Sequence, residues 1–145
     1  MSVLVVAEHL RGQLRDVTRE LITAGRELGP VTVAIIAREP DTLVEAVNVE
    51  GVAEIVTVPV AADEFENDVH QGAVEALIAS RQPRVTLLGF TVNGMGYGPA
   101  LAARLGLGFA SDVHGVRLEG DEVVVTRSFY GSKVSGELDF PGTSG

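Results

Sequence analysis

Cysteine and tryptophan are both absent from this chain of 145 residues. The missing thiols exclude disulfides, thiolate catalysis, and zinc or iron–sulfur sites held by cysteine. Aromatic residues make up only 5%, so the interior must be built from aliphatic side chains. Basic residues are also scarce: 11 Lys and Arg face 20 Asp and Glu, a net charge of −9. That field repels a phosphate backbone and argues against a nucleic-acid partner. No apolar run approaches the roughly 20 residues of a membrane-spanning helix. The first apolar run, Val3–Ala7, has no basic region before it and reads as a buried strand rather than a signal peptide. The location expected from these features is cytoplasmic.

What the chain does have is valine, leucine, alanine and 17 glycines. This suits a single α/β domain with tight connections, spanning 1–145. Val3–Ala7 and Val31–Ala37 are continuous apolar runs, as in strands covered on both faces. Between them Leu14, Val17, Leu21, Ile22 and Leu28 recur at helical spacing until Gly29-Pro30 stops the helix. Pro40-Asp41-Thr42 opens a short helix through Val47, and Ala53–Val58 is a third strand. Phe65, Val69, Ala73, Ala76, Leu77 and Ser80 share one face of a further helix. Val85–Gly89 is a fourth strand and Pro99–Leu105 a fourth helix. Right-handed crossovers turn such a series into a mostly parallel sheet with helices on both faces. After Gly106 the pattern changes. Val113–Leu118, Val123–Arg127 and Lys133–Leu138 are strand-like with only turns between them, which predicts an antiparallel extension. Glu119-Gly120-Asp121 is the hairpin connection, and Gly131-Ser132 a bend or bulge.

The glycines at Gly94, Gly96 and Gly98 follow the fourth strand, where open α/β sheets receive ligands. They are the phosphate candidates. However, no Lys-Ser/Thr follows as in a Walker A loop, and G-x-G-x-G followed by Pro99 is not the dinucleotide spacing. Close packing of backbone on backbone competes with phosphate binding here. His9, His70 and His114 lack metal-ligand spacing, and there is no nucleophile elbow. No catalytic residue and no metal site are therefore assigned. Asp63, Glu64, Glu66 and Asp68 read as a solvated helix start, where negative charge suits the helix dipole, and Asp112 as a turn cap. Arg127, Tyr130 and Lys133 bring positive and aromatic character to an acidic chain, and they are candidates for a partner interface.

Val3-Leu4-Val5-Val6-Ala7-Glu8-His9, Ala100-Leu101-Ala102-Ala103-Arg104-Leu105-Gly106, Ser111-Asp112-Val113 and Arg127-x-x-Tyr130-Gly131-x-Lys133 occur in that order. Together they resemble the amino-terminal domain of the electron transfer flavoprotein alpha subunit. The resemblance implies an open sheet of the adenine nucleotide alpha hydrolase-like class, with strand order 3-2-1-4-5. It also implies pairing with a beta subunit and electron transfer on FAD, from acyl-CoA or other dehydrogenases to an acceptor. In that family FAD is held chiefly by the carboxyl-terminal flavin domain of the same subunit, and AMP, where present, by the beta subunit. No cofactor is therefore expected on residues 1–145 alone, which would be a scaffold and docking domain. Two departures stand out. Gly96-Tyr97-Gly98-Pro99-Ala100-Leu101 replaces a Gly-Arg-Asp start of the family's helix. The segment resembling Phe140-Pro141-Gly142 leads in the family to another strand and the flavin domain, so residues 1–145 are expected to be part of a longer subunit. The alternative is a free-standing ATP- or AMP-binding protein like the universal stress proteins, although their G-x₂-G-x₉-G-[ST] pattern is missing.

Overall fold

The computed structural model describes residues 2–61, 65–89, 91–110, 113–120, 122–129 and 134–140. The central sheet has four parallel strands: β1 (Val3–Val6), β4 (Val31–Ala37), β5 (Val52–Pro59) and β6 (Val85–Leu87), in the order β5-β4-β1-β6. Between β1 and β4 lie a small hairpin, β2 (His9–Leu10) with β3 (Gln13–Leu14), and helix α1 (Asp16–Arg26). A 3-10 turn at Pro40–Leu43 and helix α2 (Val44–Val47) lead to β5. Helix α3 (Asn67–Arg81) precedes β6, and helix α4 (Val92–Leu105) follows it.

Strand alternation sorts the core. Val3 and Val5 of β1, with Val31, Val33 and Ile35 of β4, point to one face and pack with Ile22 of α1 and Val47 of α2. Leu4 and Val6 of β1, with Ala34 and Ile36 of β4, point to the other face, toward Val74 and Leu77 of α3 and Leu101 of α4. Helices thus cover both faces, as the continuous apolar runs require. Gly25 lets α1 approach the sheet closely. A Cβ there would stand 3.2 Å from both Val3 Cγ1 and Val31 Cγ2.

The remaining strands, β7 (Val113–Glu119), β8 (Glu122–Phe129) and β9 (Val134–Phe140), form a separate antiparallel sheet in the order β7-β8-β9. This is the expected extension, and its Val123 and Val125 are buried in the same cluster as Ile22 and Val3. In chain order the four central strands run 3-2-1-4, as the resemblance implied. No described strand takes the fifth position beside β6. The later strands are joined by short connections and pair with one another instead.

Two further boundaries differ from the sequence expectation. Helix α4 begins at Val92, not Pro99, so Gly94, Gly96, Gly98 and Pro99 are helical. Proline removes one helical hydrogen bond and crowds the residue before it; Gly98 has no Cβ for the ring to meet. The β2–β3 hairpin was also not foreseen. Its turn places Arg11 and Gly12 at φ +53° and +77°, the left-handed geometry of a tight two-residue hairpin connection. The bend expected at Gly131-Ser132 lies outside the described residues.

Candidate functional site

In an open sheet of this order the crossovers change direction between β1 and β6, and the crevice beyond their carboxyl ends is the usual ligand position. Here Glu8, just past β1, reaches into it and is nearly buried. Its Oε1 accepts from Arg15 Nη1 at 2.8 Å, and its Oε2 accepts from Thr91 Oγ1 at 2.8 Å. Thr91 immediately precedes α4, whose amino-terminal end favours negative charge. The chain therefore brings its own carboxylate to the side of the crevice where a ligand's anionic group would sit. Gly89 makes room for it, because a Cβ at that position would lie 2.8 Å from Glu8 Oε2.

The backbone around Glu8 is equally well tied. Its N–H donates to Thr18 Oγ1 at 2.8 Å, and Thr18 Oγ1 donates to the Glu8 carbonyl at 3.1 Å. The Arg15 N–H donates to the same carbonyl at 2.8 Å and closes the base of the hairpin. Thr18 is fully buried in α1, so its hydroxyl is committed to this junction. One residue thus links the end of β1, the start of α1 and the entry to α4.

Beside it is a pocket of only about 30 Å³, bordered by Glu8, His9, Phe65, His70, Asn93 and Tyr97. Its walls come from the end of β1 and the residues after it, from Phe65 and α3, and from α4. Phe65 lies with ring centroids 4.6 Å from His70 and 6.1 Å from Tyr97. His9 Nε2 donates to the Ile36 carbonyl at 2.8 Å, and His70 Nδ1 donates to the Glu66 carbonyl at 3.2 Å. Burial is the main cause that lowers the His70 pKa below the usual histidine value, with a smaller contribution from nearby His9. Burial, followed by the charge of Glu8, pushes the Tyr97 hydroxyl well above the ordinary phenol range. At neutral pH both rings are held uncharged.

A larger cavity of about 510 Å³ lies along β6, between α1, α4 and the β7–β8 strands. Leu21, Leu87, Leu101, Phe109, Val116 and Val125 set its apolar character. Isoalloxazine could be accommodated by apolar walls of this kind, but a dinucleotide also needs convergent donors for its pyrophosphate. The described residues around these two cavities do not supply such a set, and the 30 Å³ crevice is far too small for one. On this test the described part of the chain does not fit FAD.

The three candidate glycines do not form a loop. Gly96 faces the start of α3, where a Cβ would lie 2.7 Å from Asn67 Oδ1, and Gly98 faces Leu88 and Phe109. Both are points of close packing, and Gly94 stands in the first turn of the same helix. Arg127 lies in β8, its backbone in register with Val113 and Gly136. Tyr130, Lys133 and Asp112 lie outside the described residues, as do Asp63 and Glu64. Glu66 and Asp68 are exposed at the start of α3. Among the described residues no group of three or more His, Cys, Asp or Glu is placed to hold a metal. No described helix is long and apolar enough to cross a membrane. Sequence reasoning missed the Glu8–Arg15–Thr18–Thr91 network and the convergence of His9 with His70. The available signal was Glu8 itself, an acid directly after a fully apolar strand.

Fold and crevice define a class: an open α/β domain with a mostly parallel sheet and an antiparallel extension, whose switch point is filled by its own side chains. Residues 3–141 match the family model described as "Electron transfer flavoprotein domain", and the chain belongs to that family. It is 45% identical to the electron transfer flavoprotein subunit alpha of Methylophilus methylotrophus, over 99% of this chain and 46% of that protein. The corresponding subunit of Mycobacterium leprae is 39% identical over 80% of this chain and 37% of its own length. That of Bacillus subtilis is 31% identical over 91% and 42%. The chain therefore spans somewhat less than half the length of these curated relatives.

Proposed function

We propose that residues 1–145 form the amino-terminal scaffold and partner-docking domain of an electron transfer flavoprotein alpha subunit. In this reading it is part of a longer, cytoplasmic subunit that pairs with a beta subunit. The complex carries electrons on FAD from acyl-CoA or other dehydrogenases to an acceptor. FAD is bound by polypeptide outside residues 1–145, and this domain performs no chemistry of its own. The observation that carries the reading is the filled crevice. Glu8 is held by Arg15 and Thr91 where a ligand anion would go, and the adjoining pocket measures about 30 Å³. The order and extent of the family match support it further.

In this proposal Arg127, Tyr130 and Lys133 contribute to the partner surface. They can be tested by co-expressing and co-purifying the chain with an electron transfer flavoprotein beta subunit from the same organism, with and without Arg127→Ala. Retention of the pair at low salt, weakened by the substitution, is the expected result. No association of the unsubstituted chain with that subunit at any salt concentration would reject the docking role.

A second reading retains Gly94, Gly96 and Gly98 as a phosphate site, because they lie in the first turns of a helix at the switch point. Calorimetry with ATP and AMP separates the two. The scaffold reading expects no heat of binding, whereas micromolar affinity would replace it with a nucleotide-binding role.

A further inference from the structure

The crevice at the switch point already contains a bound carboxylate, and it is the chain's own. Glu8 Oε1 accepts from Arg15 Nη1 and Oε2 from Thr91 Oγ1, both at 2.8 Å. The donors arrive on different elements, Arg15 just before α1 and Thr91 just before α4. Each takes one oxygen, as the same groups would with a small free carboxylate between them. We infer that Arg15, Thr91 and the open space over Gly89 form a latent site for a small carboxylate, which Glu8 occupies as a tethered ligand.

An ordinary surface ion pair asks for no such setting and contributes little. Here the carboxylate is nearly buried, and the backbone makes room for it. A Cβ at Gly89 would lie 2.8 Å from Glu8 Oε2 and 3.2 Å from Val17 Cγ2. The Thr91 carbonyl accepts from the Met95 N–H at 2.9 Å, the first bond of α4. Its hydroxyl therefore stands at the positive end of a helix of 14 residues. Arg15, by contrast, keeps 46% of its side chain exposed, so one wall of the site opens to water. In the scaffold reading, on which this rests, the crevice takes no ligand from solution; Glu8 is what excludes one.

The backbone of residue 8 is held independently of its side chain. Its N–H donates to Thr18 Oγ1, and its carbonyl accepts from Thr18 Oγ1 and the Arg15 N–H. Glu8→Ala leaves these bonds in place and deletes Cγ and the carboxylate, the same atoms that make up acetate. A free acetate needs slightly more room, because its methyl group sits at contact distance from the shortened side chain. The adjoining pocket of about 30 Å³ supplies that room. It also limits the ligand to ions of formate or acetate size.

Thermal melts of residues 1–145 in about 100 mM sodium acetate, against sodium chloride at the same concentration, test this. Glu8→Ala should melt about 4 °C higher in acetate, beyond any change in the wild type, whose site is filled. Glu8→Gln also removes the charge but leaves the space filled, and it should show no such excess. Adding Arg15→Ala to Glu8→Ala removes the charged donor and should abolish the response. If Glu8→Ala does not fold in chloride, the expected result is a cooperative melt regained in acetate. The site is rejected if acetate gives Glu8→Ala neither an excess rise nor a regained melt. It is rejected equally if Glu8→Gln or the double variant responds as strongly. Either failure leaves the scaffold reading standing, because ATP and AMP calorimetry on the unsubstituted chain decides that reading.

Discussion

Thr91 supplies a hydroxyl to a carboxylate that is almost out of water. Hydrogen bonds to charged groups contribute more than neutral ones, because losing the donor leaves the charge partly unsolvated. Thr91→Val keeps the shape and deletes the donor, and it should lower stability by about 2 kcal/mol. Urea unfolding measures this, and an effect indistinguishable from zero would mean that Glu8 is adequately held by Arg15 alone. His70 gives a second residue-level expectation, with a definite sign. Its folded pKa is depressed from 6.5, so above that value folded and unfolded states are both neutral and the contribution is fully present. As pH falls from 6.5 through the depressed folded value, the unfolded chain binds the proton first and stability declines. Unfolding free energy followed across this window should fall in the wild type and be flatter in His70→Gln. A wild-type profile as flat as the variant's would contradict the burial that causes the shift.

At the scale of elements, turns and close approaches decide where strands and helices can pack. Gly51, between α2 and β5, has φ +94°, and a Cβ there would lie 2.7 Å from the Cβ of Arg26 in α1. Gly51→Ala combines a left-handed backbone with a steric clash and should cost about 2 kcal/mol or more. A thermal melt with an unchanged midpoint would show that this loop can shift freely. The pattern of elements was largely legible in the sequence because burial on both faces writes itself as unbroken apolar runs. Val3–Ala7 and Val31–Ala37 read correctly for that reason. The start of α4 did not, since glycine and proline signal a loop locally. Tertiary packing of Tyr97 and Leu101 against Val6, Ile36 and Val74 overrides that preference and extends the helix back to Val92. The β2–β3 hairpin was invisible for a different reason: strands of two residues are too short to show any periodicity. The Glu8 site was half legible. Its position at the end of the first strand was plain, but partners 7 and 83 residues away could not be found from spacing.

For the molecule as a whole, the question is whether the antiparallel extension is a separate folding unit. Its strands pair only among themselves, which suggests independence. The packing points the other way. Val123 and Val125 of β8 are buried in the same cluster as Val3, Ile22 and Val33, with Val116 of β7 against it. A three-stranded sheet needs such a partner for its apolar face, and α1 and the β6 side of the main sheet provide one. The two sheets should therefore unfold together in a single transition. Val125→Ala removes two buried carbons and leaves a small void, with an expected loss of about 2 kcal/mol. In a cooperative molecule that loss appears as one shifted urea transition with an unchanged slope. It also appears as an equal drop in exchange protection of β1 and β4 amides. If β8 amides lose protection while β1 and β4 keep theirs, the extension opens by itself and the shared core does not couple the two sheets.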